Sequence, residues 1–217
     1  MARMIKQVSK KEISEIKQKL LELYPNSVTE LNYTNIYELL VAVMLSAQCT
    51  DKRVNIITPE FFKKYPNIQN LASADIDDIK SLINTCSFFN NKAINLHKMA
   101  NQVINEFGGN IPLTQKELVS LAGVGQKTAN VVMLEYTGAN VMAVDTHVFR
   151  VAHRLGLSKA KTAVKTEEDL TKKFKTDLHR LHQAMVLFGR YHCKAVNPKC
   201  EECSLKKECK SSGRFKV

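Results

Sequence analysis

Apolar residues recur along the chain at intervals of three and four, and that spacing predicts one helix after another. Ser9 and Glu12 stand at capping-box spacing ahead of Ile13, Ile16 and Leu20, and Tyr24-Pro25 closes that helix. Asn35 and Glu38 open a second, whose run 39–45 is apolar all round. A buried strand would also read so. The run continues through Ala47 without a break and its neighbours are helical, which favours a buried helix. Ile76, Ile79 and Ile83 mark a short helix; Ala93, Ile94, Ala100, Val103, Ile104 and Phe107 mark a longer one, stopped by Gly108-Gly109.

Thr114 and Glu117 form another capping box, which predicts a short helix over about 115–121. Ala129, Val132, Met133 and Tyr136 trace the next, ending at Gly138. Further helices carry Val148, Val151, Ala152 and Leu155; then Leu170 and Phe174; then Leu178, Leu181, Met185 and Phe188. No stretch alternates convincingly as a strand, and no repeat or Gly/Ser linker interrupts the pattern. The predicted class is all-α.

Composition adds little to that picture. Only eight glycines and five prolines punctuate 217 residues, in keeping with long helices and few hairpins. No apolar run reaches the roughly eighteen residues of a membrane span, and the first residues lack the apolar core of a signal peptide. The expected compartment is the bacterial cytosol. Charge changes the picture more. The net charge is +11, and residues 150–217 hold 17 Lys and Arg against 7 Asp and Glu. So concentrated an excess suits a polyanion such as nucleic acid, although a solvated basic surface would show the same count.

The segment "LAGVGQKTAN" is where charge meets local structure. A helix, a four-residue turn holding Gly123 and Gly125, and a second helix make a compact hairpin. The glycines let a phosphate approach backbone N–H groups beside a helix N-terminus, while Val124 plugs the turn into the core. This is the helix-hairpin-helix pattern, which grips a DNA backbone without reading sequence. Lys127 stands in the first turn of the second helix, where the dipole disfavours an ammonium. That placement, with partial burial, is expected to lower its pKa and free a nucleophilic amine. A phosphate-contacting lysine is the alternative. Asp145, in "AVDTHVFRVAHRL", opens a helix and is either an N-cap or an acid–base partner.

Cys193, Cys200, Cys203 and Cys209 give C-x6-C-x2-C-x5-C. Thiols so close in a cytosolic chain argue for a metal rather than disulfides. Zinc usually takes two short pairs; one C-x2-C with wider outer gaps leans toward a cubane iron–sulfur cluster. Lys194, Lys199, Lys206, Lys207 and Lys210 interleave with these cysteines, either to meet phosphates or as a solubilising rim. Cys49 and Cys86 read as isolated, small buried hydrophobes.

Together, "ELLVAVMLSAQCTD", "LAGVGQKTANVV", "AVDTHVFRV" and "GRYHCKAVNPKCEECSLKKEC" resemble the endonuclease III family, DNA glycosylases and abasic-site lyases of the helix-hairpin-helix superfamily. The resemblance implies two helical domains flanking a DNA-binding cleft. One is a six-helix domain, residues 29–138, carrying the helix-hairpin-helix at about 115–137. The other joins 1–28 to 139–217 and holds the cluster loop, 193–209. It implies Lys127 and Asp145 as catalytic residues, and Cys193, Cys200, Cys203 and Cys209 as ligands of a [4Fe-4S] cluster. Gln48 would fill the gap left by an extruded nucleotide and Phe88 would be a second wedge. Gly123, Val124, Gly125 and Thr128 complete the DNA-contacting set. The family's hairpin usually reads L-P-G-V-G; Ala122 replaces the proline here, which is expected to loosen the turn. Its wedge segment usually has glycine before leucine; here it is Ser87-Phe88, and Phe88 could instead be a core aromatic beside Phe89.

The implied reaction is excision of oxidised pyrimidines from damaged duplex DNA by a monomer, then β-elimination at the abasic site through a lysine Schiff base. The adenine-mismatch glycosylase of the same superfamily shares the cluster and the aspartate but lacks the hairpin lysine. A non-catalytic, metal-stabilised DNA-binding module is the reading from another class.

Overall fold

The computed structural model describes residues 8–212. Residues 1–7 and 213–217, the ends of the expected cluster domain, lie outside the described residues. All regular structure among the described residues is helical, in eleven α-helices and one π-helical turn. None of these helices is long and apolar enough to cross a membrane.

The chain divides into two compact units, Glu30–Thr137 and Met1–Thr29 with Gly138–Val217. The first is organised around α2 (Ile36–Ser46). The Asn35 side chain accepts from the Glu38 N–H at 3.0 Å, and the Glu38 carboxylate accepts from the Thr34 N–H and hydroxyl. This cap commits the apolar run to a helix, and Tyr37 and every residue from Leu39 to Leu45 are buried. Packed with it are α3 (Asp51–Lys64), α6 (Phe89–Phe107) and α8 (Gln126–Thr137), while α4 (Ile68–Ala72) and α5 (Ile76–Ile83) lie against α6. With α7 (Gln115–Ser120) the unit has seven helical segments, one more than the resemblance implies; α4 is a turn of five residues. Neither α3 nor α4 is marked by the pattern above. Pro59 sits inside α3 and lacks the N–H a helix interior uses, so the stripe Val54, Ile57, Thr58, Phe61 reads poorly as a helix.

The second unit packs α1 (Lys10–Leu23), α9 (Thr146–Leu155), α10 (Ala163–Phe174) and α11 (Leu178–Leu187) around one core. Both halves of the capping box at Ser9 and Glu12 form. Ile16 and Leu20 meet Val148, Val151, Leu155, Leu170, Phe174, Leu178, Leu181 and Met185 there. The π-helical turn Phe188–His192 follows α11 and delivers the chain to Cys193.

Candidate functional site

The hairpin between α7 and α8 is built as its sequence suggests, with one glycine demanded by the fold and one not. Gly123 has φ +76°, and a Cβ there would lie 2.8 Å from Asn95 Cβ. Gly125 has no positive φ and a Cβ would meet nothing within 4 Å. Turn geometry therefore does not explain Gly125. Val124 is buried and its N–H closes the turn onto Leu121 O at 3.1 Å. Across the hairpin, Gln115 Nε2 donates to the buried Asn130 Oδ1 at 2.5 Å.

One expectation about the hairpin changes and another gains a counterweight. The Ala122 N–H donates to Gln102 Oε1 at 2.7 Å while Gln102 Nε2 donates to Ser120 O at 3.2 Å. A proline has no N–H to give, so α6 clamps the turn through a bond that only a non-proline permits. Lys127 is exposed rather than partly buried, although Ala129 and Asn130 of the same helix are buried. Thr128 beside it is half-buried.

Gln48 and Phe88 sit in two turns of the same unit. Both are exposed, and both hold a left-handed backbone, at φ 54° and 57°. L-residues with long side chains rarely adopt that region. Phe88 is 62% exposed while Phe89 is half-buried, which answers the question of which aromatic faces out. Cys49 and Cys86 are not isolated: their Sγ atoms lie 3.6 Å apart and join the two turns. Burial, with Cys49 next to it, pushes the Cys86 thiol up to about 11.

Asp145 and the four clustered cysteines belong to the other unit. Asp145 is the N-cap of α9, its Oδ1 accepting from the Val148 N–H at 2.7 Å. The same helix grips the cysteine loop. Arg150 donates to Cys193 O at 3.0 Å and Gly189 O at 2.6 Å; Arg154 donates to Cys193 Sγ at 3.3 Å, Lys194 O at 2.6 Å and Ala195 O at 3.1 Å. Lys19 of α1 binds Ser204 O and Glu208, and Lys210 pairs with Glu12. Of the interleaved lysines, Lys206 pairs with Glu201, while Lys194, Lys199 and Lys207 are exposed.

All six cysteines are free thiols. Cys193, Cys203 and Cys209 pack against the core of their unit, and burial followed by the neighbouring cysteines pushes the Cys203 and Cys209 thiols up. Four soft, half-buried donors within seventeen residues, with Arg154 on one of them, are of the chemistry that suits a cationic cluster that takes thiolates. Among the described residues, no group of His, Cys, Asp or Glu closes on a single metal ion.

Residues 41–176 match the model of the HhH-GPD superfamily of base excision DNA repair proteins. Endonuclease III of Bacillus subtilis (strain 168) is 41% identical over 202 residues, covering 92% of each chain. This chain belongs to the endonuclease III family. Endonuclease III of Escherichia coli (strain K12) is 37% identical over 199 residues, 90% of this chain and 93% of that one. A solved endonuclease III–DNA covalent intermediate, trapped as an estranged-adenine complex, superposes with a TM-score of 0.93 at 36% identity. That match covers 96% of this chain and 99% of the other. As a member of the endonuclease III family, the chain is a base excision repair enzyme, a DNA glycosylase and abasic-site lyase. Membership of the family is consistent with a [4Fe-4S] cluster.

Several residues that shape these sites carry no sequence signal. Lys92 and Gln102 fall among polar positions of α6, and the pair Arg150 and Arg154 reads as an ordinary basic helix face. Only the spacing of four between the arginines, on the helix that Asp145 opens, hints at a shared target.

Proposed function

We propose that the enzyme binds damaged duplex DNA as a cytosolic monomer, excises oxidised pyrimidines and cleaves the resulting abasic site by β-elimination. Gly125, open toward solvent, and the start of α8 receive a backbone phosphate, with Gly123, Val124 and Thr128 shaping the turn. Gln48 and Phe88 enter the stack as the lesion leaves it, which costs least where pairing is already weak. The neutral Lys127 amine attacks the anomeric carbon, the glycosidic bond breaks and the base departs with the electron pair. Asp145, one oxygen anchored by its cap bond, steadies the cationic sugar or takes the amine proton. The imine acidifies the C2′ proton; its loss expels the 3′ phosphate and cuts the strand.

Cys193, Cys200, Cys203 and Cys209 would hold a [4Fe-4S] cluster, which supplies structural cross-links to a lysine-bearing loop. The reading rests on one observation above all: within this family, an exposed lysine stands two residues beyond an open glycine on a helix N-terminus. Borohydride reduction on duplex DNA carrying one thymine glycol tests it. Wild type is expected to form a covalent adduct that Lys127→Ala loses while still binding DNA. Efficient nicking by Lys127→Ala overturns the Schiff base. Free base without an adduct from wild type would make the enzyme a monofunctional glycosylase.

A further inference from the structure

Lys92 is a buried lysine at 9% exposure, and nothing in the reaction above uses it. It lies in the first turn of α6, and its backbone N–H closes that turn onto Phe88 O at 3.1 Å. Its ammonium runs back to a segment almost fifty residues earlier in the chain. There Nζ donates to Leu45 O at 2.7 Å and Ala47 O at 2.8 Å. Those carbonyls belong to the C-terminal end of α2, where the helix leaves acceptors without intrahelical donors and the dipole favours a cation. The very next residue is Gln48, at φ 54°. One side chain thus fastens the turn that presents Gln48 to the turn that presents Phe88.

Water or a glycine cap could satisfy the same carbonyls at the surface. A buried ammonium is a costly substitute, and burial does push this one below the usual lysine range, with Cys86 and Cys49 opposing the shift. What the buried lysine adds is fixed geometry. Two left-handed non-glycine residues persist only where their surroundings over-determine them. Here the surroundings are Lys92, the 3.6 Å contact of Cys49 with Cys86, and the bonds Cys49 N–H to Ser46 O and Cys86 N–H to Ile83 O.

We propose that Lys92 is a positioning residue for strand opening, holding Gln48 and Phe88 at the spacing at which both enter the base stack. The proposal rests on the wedge roles given to those two residues above. It separates opening from chemistry, because Lys92 bonds α2 and Phe88 and has no bond to the hairpin that bears Lys127.

The test compares single-turnover excision of thymine glycol opposite adenine and opposite an abasic-site analogue. Opposite adenine, the wedges must displace a stacked partner; opposite no base, that work is absent. Lys92→Met is expected to slow the first by about tenfold and the second by less than about threefold, the loss of two charge-assisted bonds being felt only where opening is hard. In a Gln48→Ala background, which lacks the wedge, adding Lys92→Met should slow the paired substrate by less than about twofold, since coupled residues are not additive. Lys92→Arg retains a cation for the carbonyls and keeps the question answerable if Lys92→Met does not fold; its paired rate should stay within about threefold of wild type. Equal slowing of both substrates by either folded variant, no slowing by Lys92→Met, or full additivity with Gln48→Ala overturns the proposal. Those results leave the lyase reading intact as long as wild type still traps on both substrates. Failure of wild type to trap would instead remove the reading beneath it.

Discussion

The glycine hairpin and the two wedge turns lie in the same unit and both use left-handed backbone, yet they are made of opposite residues. At the hairpin the working surface is backbone. Gly123 carries the positive φ without strain, and Gly125 leaves the space where its Cβ would stand open. At the turns of Gln48 and Phe88 the proposed working surface is a side chain, which glycine could not supply. Gln48 and Phe88 therefore keep their positive φ at a cost of about 1 kcal/mol or more each. The surrounding bonds of Lys92 and the paired thiols hold them there. On the proposed reading, strain is removed where the backbone would do the binding and retained where a side chain would.

The largest expected effect breaks the hairpin from within. Gly123→Ala combines a left-handed alanine with a 2.8 Å approach to Asn95 Cβ. It should cost about 2 kcal/mol or more of stability, read as a lowered urea midpoint at unchanged slope. Gly125→Ala meets no atom of the protein. Its stability should stay within about 0.5 kcal/mol of wild type, while Kd for duplex DNA carrying a non-cleavable abasic analogue rises about tenfold. If the two glycines instead responded alike in both measurements, the distinction between a structural and a contacting glycine would be lost.

The wedge turns should respond with the opposite sign in stability. Phe88→Gly relieves a left-handed phenylalanine whose ring is 62% exposed and so contributes little burial. The relief exceeds the added entropy of the unfolded chain, and a gain of about 0.5 kcal/mol is expected. Excision of a lesion paired with adenine should fall in the same protein. A Phe88→Gly protein that was less stable and fully active would mean the ring is a packing residue and the strain has another purpose.

Much of this architecture was legible because it is local. The capping box at Ser9, the Asn35 cap and the apolar run of α2 each specify structure within four residues, and each forms; at Thr114 the N-cap bond from the Glu117 N–H forms, while the Glu117 carboxylate takes the Thr114 hydroxyl. The hairpin glycines and the cysteine spacing are local too. What escaped is non-local or out of register. Pro59 masks α3, α4 is too short for a period, and nothing in "FGRYH" announces a π-helical turn. Lys92, Gln102 and Arg154 bind partners eighteen to forty-seven residues away, so a lysine in α6 looks like solvent face until α2 is folded over it. The contact of Cys49 with Cys86 is hidden for the same reason. Exposure of Lys127 was misjudged because helix position fixes a dipole but not which side of the hairpin faces out.

The smallest expected effect concerns how the hairpin turn is fastened. Where the family resemblance leads one to expect a stiff proline, this chain has Ala122 and the bond from its N–H to Gln102 Oε1 at 2.7 Å. Leu121 is already extended, at φ −73° and ψ 141°, as a residue before proline must be. Ala122→Pro should therefore fit. It forfeits one hydrogen bond, worth about 1 kcal/mol, and gains about 0.4–1 kcal/mol by restricting the unfolded chain. The two nearly cancel, so the urea midpoint should move little. Gln102→Leu removes the acceptor first and should cost about 1 kcal/mol alone. In that background Ala122→Pro has no bond left to forfeit and should show its stiffening by itself, as a gain of about 0.5 kcal/mol. The sign change between backgrounds is the informative quantity. If proline has the same effect with and without Gln102, the clamp contributes nothing to the turn and the hairpin's rigidity lies wholly in Gly123 and the buried Val124.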